Sequence, residues 1–191
     1  MKEKNIKQQR VEVYFIDAAK FIIMKEGPTA VTVRKIADRS GYSYGSIYNY
    51  YDSLDELMFR VKNSMILDIM SLMDEPESIP QSIEDIKSLN WKFAEFFMEN
   101  PNIYEFFYNY PIKTLGKTPV DDINFNDNRL LTYQSFVDKG IINKDDLEVV
   151  YLTILASLYG LLNLYFSSNG VTKEYVRDGL NTIIEFTLRK R

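Results

Sequence analysis

Apolar residues recur at three- and four-residue steps along almost the whole chain, and no apolar/polar alternation is long enough to make a strand. That confines the fold to helices. Val11, Phe15, Ala18, Ala19, Ile22 and Ile23 define a first amphipathic helix, which stops near Gly27-Pro28. Val33, Ile36 and Ala37 share one face of a second, residues 32–40, with Thr32 as N-cap and Gly41 as C-terminal stop. Ser43 caps a third helix running to about Tyr50, and Ser53 followed three residues later by Glu56 is a capping box that opens a fourth, to about Met73. Pro76 and Pro80 mark a break. Beyond it, helices are expected at 82–99, 101–109, 124–139, 144–167 and 172–189, with a loop at 111–122. The expected class is all-α, with about nine helices.

Composition narrows the chemistry. In 191 residues, 46% apolar and 14% aromatic side chains are enough to fill a core. There is no cysteine and no histidine, which removes thiol nucleophiles, disulfides, the usual zinc sites and most general-base chemistry near neutral pH. No nucleophile–base pair, phosphate loop or carboxylate pair stands out among the remaining residue types. The chain therefore reads as a non-enzyme that needs no metal and no cofactor. The opening "MKEKNIKQQR" is charged and does not read as a basic cap before an apolar run, and the most apolar stretch, 149–166, carries Thr153, Ser157 and Asn163. It is expected to be a buried helix rather than a membrane span, in a cytoplasmic protein.

The net charge of −4 is unevenly spread. Residues 1–60 hold ten Lys/Arg against eight Asp/Glu, and the remainder thirteen against nineteen. The mildly basic end is the one with the short helices. Between residues 33 and 50, Ile36, Ala37, Gly41, Ile47 and Tyr50 occupy the places a helix-turn-helix needs for its apolar anchors and tight turn. The second helix of that motif would hold Tyr42 and Ile47 inward. Tyr44, Gly45, Ser46, Tyr48 and Asn49 then lie on the outer, N-terminal side that can enter a major groove. A compact helical bundle can also contain such a turn with no DNA partner.

The longer string "FIDAAKFIIMKEGPTAVTVRKIADRSGYSYGSIYNYYDSLDELM" resembles the N-terminal domain of the TetR family of transcriptional regulators over about 45 consecutive positions. The resemblance implies a helix-turn-helix DNA-binding domain at 1–52 and a helical ligand-binding and dimerisation domain at 53–191, with helix 53–73 as connector. It also implies a palindromic operator and a small-molecule effector that releases the protein from it. Two departures stand out: Tyr44 and Leu54 replace lysines that in the family usually face phosphates. Fewer cations predict a shallow salt dependence, with Tyr and Ser hydroxyls and backbone N–H groups holding the phosphates instead. Arg34 matches a position that in relatives can reach a base or phosphate, and Thr32 one where the helix start abuts the backbone. Tyr44 and Asn49 are candidates for base-edge contacts. Ser43, Ser46, Tyr48 and Tyr50 are candidates for the phosphates, Gly45 allows close approach, and Tyr42 and Tyr51 belong to the core.

The resemblance further implies a homodimer through helices near 144–167 and 172–189. Leu152, Leu155, Ala156, Tyr159, Gly160, Leu162 and Asn163 spread apolar surface over more than one helix face, which fits that expectation. In relatives, the region corresponding to "WKFAEFFMENPNIYEFFYNY" helps enclose an inducer. Trp91, Phe96, Phe97, Tyr104, Phe107, Tyr108, Tyr133 and Tyr159 are the candidate lining, with Asn128 and Asn163 as polar groups, for an apolar or aromatic molecule. Each ring can equally be plain core. The competing functional class is an all-α protein- or ligand-binding module that keeps the fold without strong DNA binding.

Overall fold

A computed structural model describes residues 6–73, 82–112, 133–167 and 170–189, and all the regular structure there is helical. In order these are α1 (Ile6–Glu26), a 3-10 turn at Pro28–Ala30, α2 (Val33–Ser40), α3 (Tyr44–Ile47), α4 (Leu54–Met73), α5 (Ile83–Glu99) and α6 (Pro101–Tyr104). Then follow α7 (133–138), a 3-10 turn at Lys144–Asp146, α8 (Leu147–Ser167) and α9 (Lys173–Thr187). The all-α expectation holds. The break at Pro76 and Pro80, most of the 111–122 loop and the first part of the 124–139 helix lie outside the described residues.

The chain divides into two compact units. The first takes the described parts of Met1–Ser71 and Asn100–Ile123, the second those of Leu72–Glu99 and Asn124–Arg191. The first unit thus runs beyond residue 52 to include most of α4 and all of α6.

In the first unit α1 buries the six residues its periodicity singles out, and α2 and α6 pack on it. Phe15 is fully buried and sits at the centre of an aromatic cluster. Its ring meets Tyr42 edge-on at 5.2 Å, Tyr50 at 5.6 Å and Tyr51 at 6.4 Å. Such edge-to-face pairs add to the area each ring buries. Asn102 Nδ2 donates to the Met24 carbonyl at 3.1 Å, tying the start of α6 to the end of α1. After Tyr104 the chain opens into a π-helical turn at Glu105–Asn109, closed by the Tyr110 N–H donating to the Glu105 carbonyl at 2.8 Å.

Tyr51 is buried, and among the described residues its hydroxyl meets no hydrogen-bond partner. Burial pushes the phenol far above its ordinary range, with the Glu12 charge adding to the shift. A buried donor without an acceptor carries a desolvation cost that nothing offsets. Tyr51→Phe is therefore expected to stabilise the protein by about 1 kcal/mol, read as a higher urea midpoint at unchanged slope. A lower midpoint would show that the hydroxyl is satisfied after all.

In the second unit α8 packs against α9 and α5, and α5 against α9. Residues Lys144–Ser167 are long and apolar enough to cross a membrane by length and composition, but part of the stretch is buried within the fold. Asn90 is the buried polar residue of the described core. Its Nδ2 donates to the Ile86 carbonyl at 2.8 Å and to the Tyr133 hydroxyl at 3.1 Å, so it is buried with partners.

Candidate nucleic-acid interface

Local hydrogen bonds build the α2–α3 turn. Thr32 Oγ1 accepts from the Lys35 N–H at 3.2 Å and starts α2. Gly41 ends it at φ 77°, the left-handed region that glycine enters without strain. Ser43 Oγ accepts from the Ser46 N–H at 3.2 Å and starts α3. Ser53 Oγ accepts from the Glu56 N–H, while the Glu56 carboxylate returns to the Asp52 N–H at 2.7 Å, closing the box one residue earlier than the motif prescribes.

The third helix is shorter than the 43–50 expected. Regular α-helix ends at Ile47, where the Asn49 and Tyr50 N–H groups turn back to the Ser46 and Ile47 carbonyls, at 3.2 and 3.0 Å. These tighter i→i−3 bonds leave Asn49 on an exposed turn rather than on a continuing helix.

The expected contact residues separate into groups. Tyr44 and Tyr48 are 55% and 44% exposed, so both rings stand out from the surface. They meet edge-on at 5.4 Å, with their hydroxyls 3.1 Å apart. The hydrogen bond with Tyr44 raises the Tyr48 phenol above its usual range. Asn49 is exposed. Ser43 and Ser46 share a hydrogen bond between hydroxyls at 2.7 Å. At Gly45 a Cβ would meet nothing within 4 Å, so the protein's own packing imposes no need for glycine there. Tyr50 is half-buried with its ring on Phe15, so it serves the core as well as the surface. Tyr42 is likewise half-buried against Phe15 and Tyr14.

Three cations lie on α2, and two of them are engaged. Lys35 pairs with Glu26 at 2.6 Å, and the Arg39 guanidinium lies 3.1 Å over the Phe21 ring. Arg34 is exposed and, among the described residues, has neither an ion pair nor a side-chain hydrogen bond. It is the α2 cation left for a partner. An open groove of about 740 Å³ between α1 and α2 is bordered by Tyr14, Asp17, Phe21 and Arg39, and no effector candidate lines it.

Those candidates are dispersed. Trp91, Phe96, Phe97, Tyr133, Tyr159 and Asn163 belong to the second unit, Tyr104, Phe107 and Tyr108 to the first, and Asn128 is outside the described residues. Phe97 and Tyr133 are fully buried, Trp91 lies under the Arg177 guanidinium at 5.3 Å, Tyr159 is half-buried and Asn163 is exposed. Tyr104 is buried against Tyr108 at 4.9 Å. Asn90, which sequence reading passed over, is the polar group that touches Tyr133. Its signal was a lone amide on the apolar face of α5. Among the described residues no group of three or more acidic, His or Cys side chains could hold a metal ion.

Residues 15–61 match the model of the bacterial regulatory proteins of the tetR family. Comparison with curated sequences gives no match. Among solved structures, RolR in complex with resorcinol is similar at a TM-score of 0.70 and 14% identity, over 96% of each chain. A TetR-family regulator from Haemophilus influenzae is similar at 0.64 and 18%, over 97% of this chain and 98% of that one. FadR from Bacillus subtilis, in complex with stearoyl-CoA, is similar at 0.66 and 16%, over 93% and 97%. At such identities the structures establish a common fold. Residues 15–61 therefore carry the N-terminal domain of the tetR family of bacterial regulatory proteins, and nearly the whole chain shares the fold of these solved regulators.

Proposed function

We propose that this protein is a cytoplasmic, dimeric repressor that binds a palindromic operator and leaves it when a small molecule binds. The observation that carries the DNA-binding part is the exposed surface of α3 and the turn after it, where Tyr44, Tyr48 and Asn49 stand out, together with Arg34, exposed on α2. Two such surfaces in a dimer would read half-sites about 34 Å apart. Similarity to regulators solved with resorcinol and with stearoyl-CoA supports an apolar or aromatic effector.

A stripe on α8 supports the dimer. Val149, Leu152, Ala156, Gly160 and Leu164 follow three- and four-residue steps and are exposed, and Tyr175 and Phe186 are exposed on α9. Effector and operator would favour different conformers, so each must weaken the other by one common factor.

A mobility-shift assay on DNA from upstream of the protein's own gene tests the reading. Tyr44→Ala and Asn49→Ala are each expected to cost about 1–3 kcal/mol at the specific site. Arg34→Ala is expected to weaken specific and nonspecific binding alike and to flatten an already shallow salt dependence. Unchanged affinity in all three variants would refute this reading surface. No shift on any upstream DNA would favour a binding module without DNA, a reading that the engaged cations of α2 support.

A further inference from the structure

We propose that Lys62 anchors the acidic group of the effector, a carboxylate on an aromatic or aliphatic body, beside the π-helical turn at Glu105–Asn109. This rests on the reading of the chain as an effector-responsive regulator and sharpens its ligand class from apolar to amphipathic acid. Lys62 lies on α4, within the first unit, half-buried. Its Nζ donates to the Phe107 carbonyl at 2.9 Å and lies 5.4 Å from the centre of the Phe107 ring. An ammonium has three protons to donate, and among the described residues one acceptor meets it, the Phe107 carbonyl. No carboxylate pairs with it among the described residues.

Buried cations are ordinarily paired, because lost hydration must be replaced by an opposite charge or by further hydrogen bonds. Here burial depresses the Lys62 pKa, and among the described residues no neighbouring acid counters it. What surrounds the turn is aromatic: Phe106, Phe107 and Tyr110 pack as one set, as do Tyr104 and Tyr108. The π geometry matters as well, since such turns recur at functional sites. In this one the Phe107 carbonyl accepts from a side chain of α4. Lys62 is half-buried rather than enclosed, which leaves part of the residue open to solvent. A carboxylate would accept the two remaining N–H groups in charge-assisted bonds, while its apolar body would meet the rings.

Calorimetry on the full chain, without DNA, can compare benzoate with benzamide and octanoate with octanamide. At least one acid is expected to bind about tenfold to a hundredfold tighter than its amide. Lys62→Met should abolish that preference and Lys62→Arg should keep it, with thermal melts confirming that each variant is folded. If Lys62→Met does not fold, Lys62→Gln takes its place. Equal binding of acid and amide, no binding of either acid, or a preference that survives the loss of the ammonium would each overturn the assignment. Operator binding is measured separately, so a chain that binds acids but not DNA would refute the repressor reading and leave Lys62 standing.

Discussion

Phe15→Ala is expected to lower stability by about 3–5 kcal/mol, the range for emptying a large aromatic from a closed core. The ring is fully buried, and three tyrosines rest on it: Tyr42 from the α2–α3 turn, and Tyr50 and Tyr51 from the segment after α3. Removing it opens a cavity and also takes away the edge-to-face partner that places those segments. Domains are stable by only about 5–15 kcal/mol, so the loss is a large share of the total. Urea denaturation followed by circular dichroism gives the value. Operator binding should fail at temperatures where the wild type still binds, although Phe15 itself is out of reach of DNA. A urea midpoint within error of wild type would mean that the tyrosines hold one another without it.

Leu152→Glu is the second large effect, and it separates folding from assembly. Leu152 is 50% exposed, so a glutamate there costs the monomer little. If α8 meets its copy across a two-fold axis, the same change enters the interface twice. Burying carboxylates with no partner there is expected to cost about 3–5 kcal/mol, which weakens dimerisation by two to four orders of magnitude. Sedimentation equilibrium should then show a monomer with wild-type helix content, and operator affinity should fall with the dimer. A variant that stays dimeric at the same concentrations would move the interface off this stripe of α8.

Much of the first unit was legible because its determinants are local. Thr32, Ser43 and Ser53 cap helices through hydrogen bonds three residues long, and Gly41 turns the chain by a conformation that depends on its missing Cβ. The six apolar residues of α1 are buried because side chains three and four apart share a helix face. The length of α3 was not legible. Nothing in "YGSIYNYY" distinguishes an α-turn from the tighter bonds after Ile47, where Tyr50 and Tyr51 are drawn onto Phe15. The aromatic string at 91–110 reads as one cluster, yet the units divide it between Glu99 and Asn100.

What the sequence determined by itself was the all-α class, the caps and turn of the helix-turn-helix, and the resemblance carried by residues in fixed order. Each depends on interactions spanning a few residues, so spacing reveals them. Only the tertiary structure decided that Tyr50 sides with Tyr42 and Tyr51 rather than with the outward Tyr44 and Tyr48. Tyr44 and Tyr48 pair on the surface, while Tyr42, Tyr50 and Tyr51 lean on a phenylalanine from another helix. It alone brought Lys62 to a carbonyl 45 residues away and left the Tyr51 hydroxyl unmatched. Exposure and pairing depend on residues distant in the chain, and packing, not periodicity, brings those together.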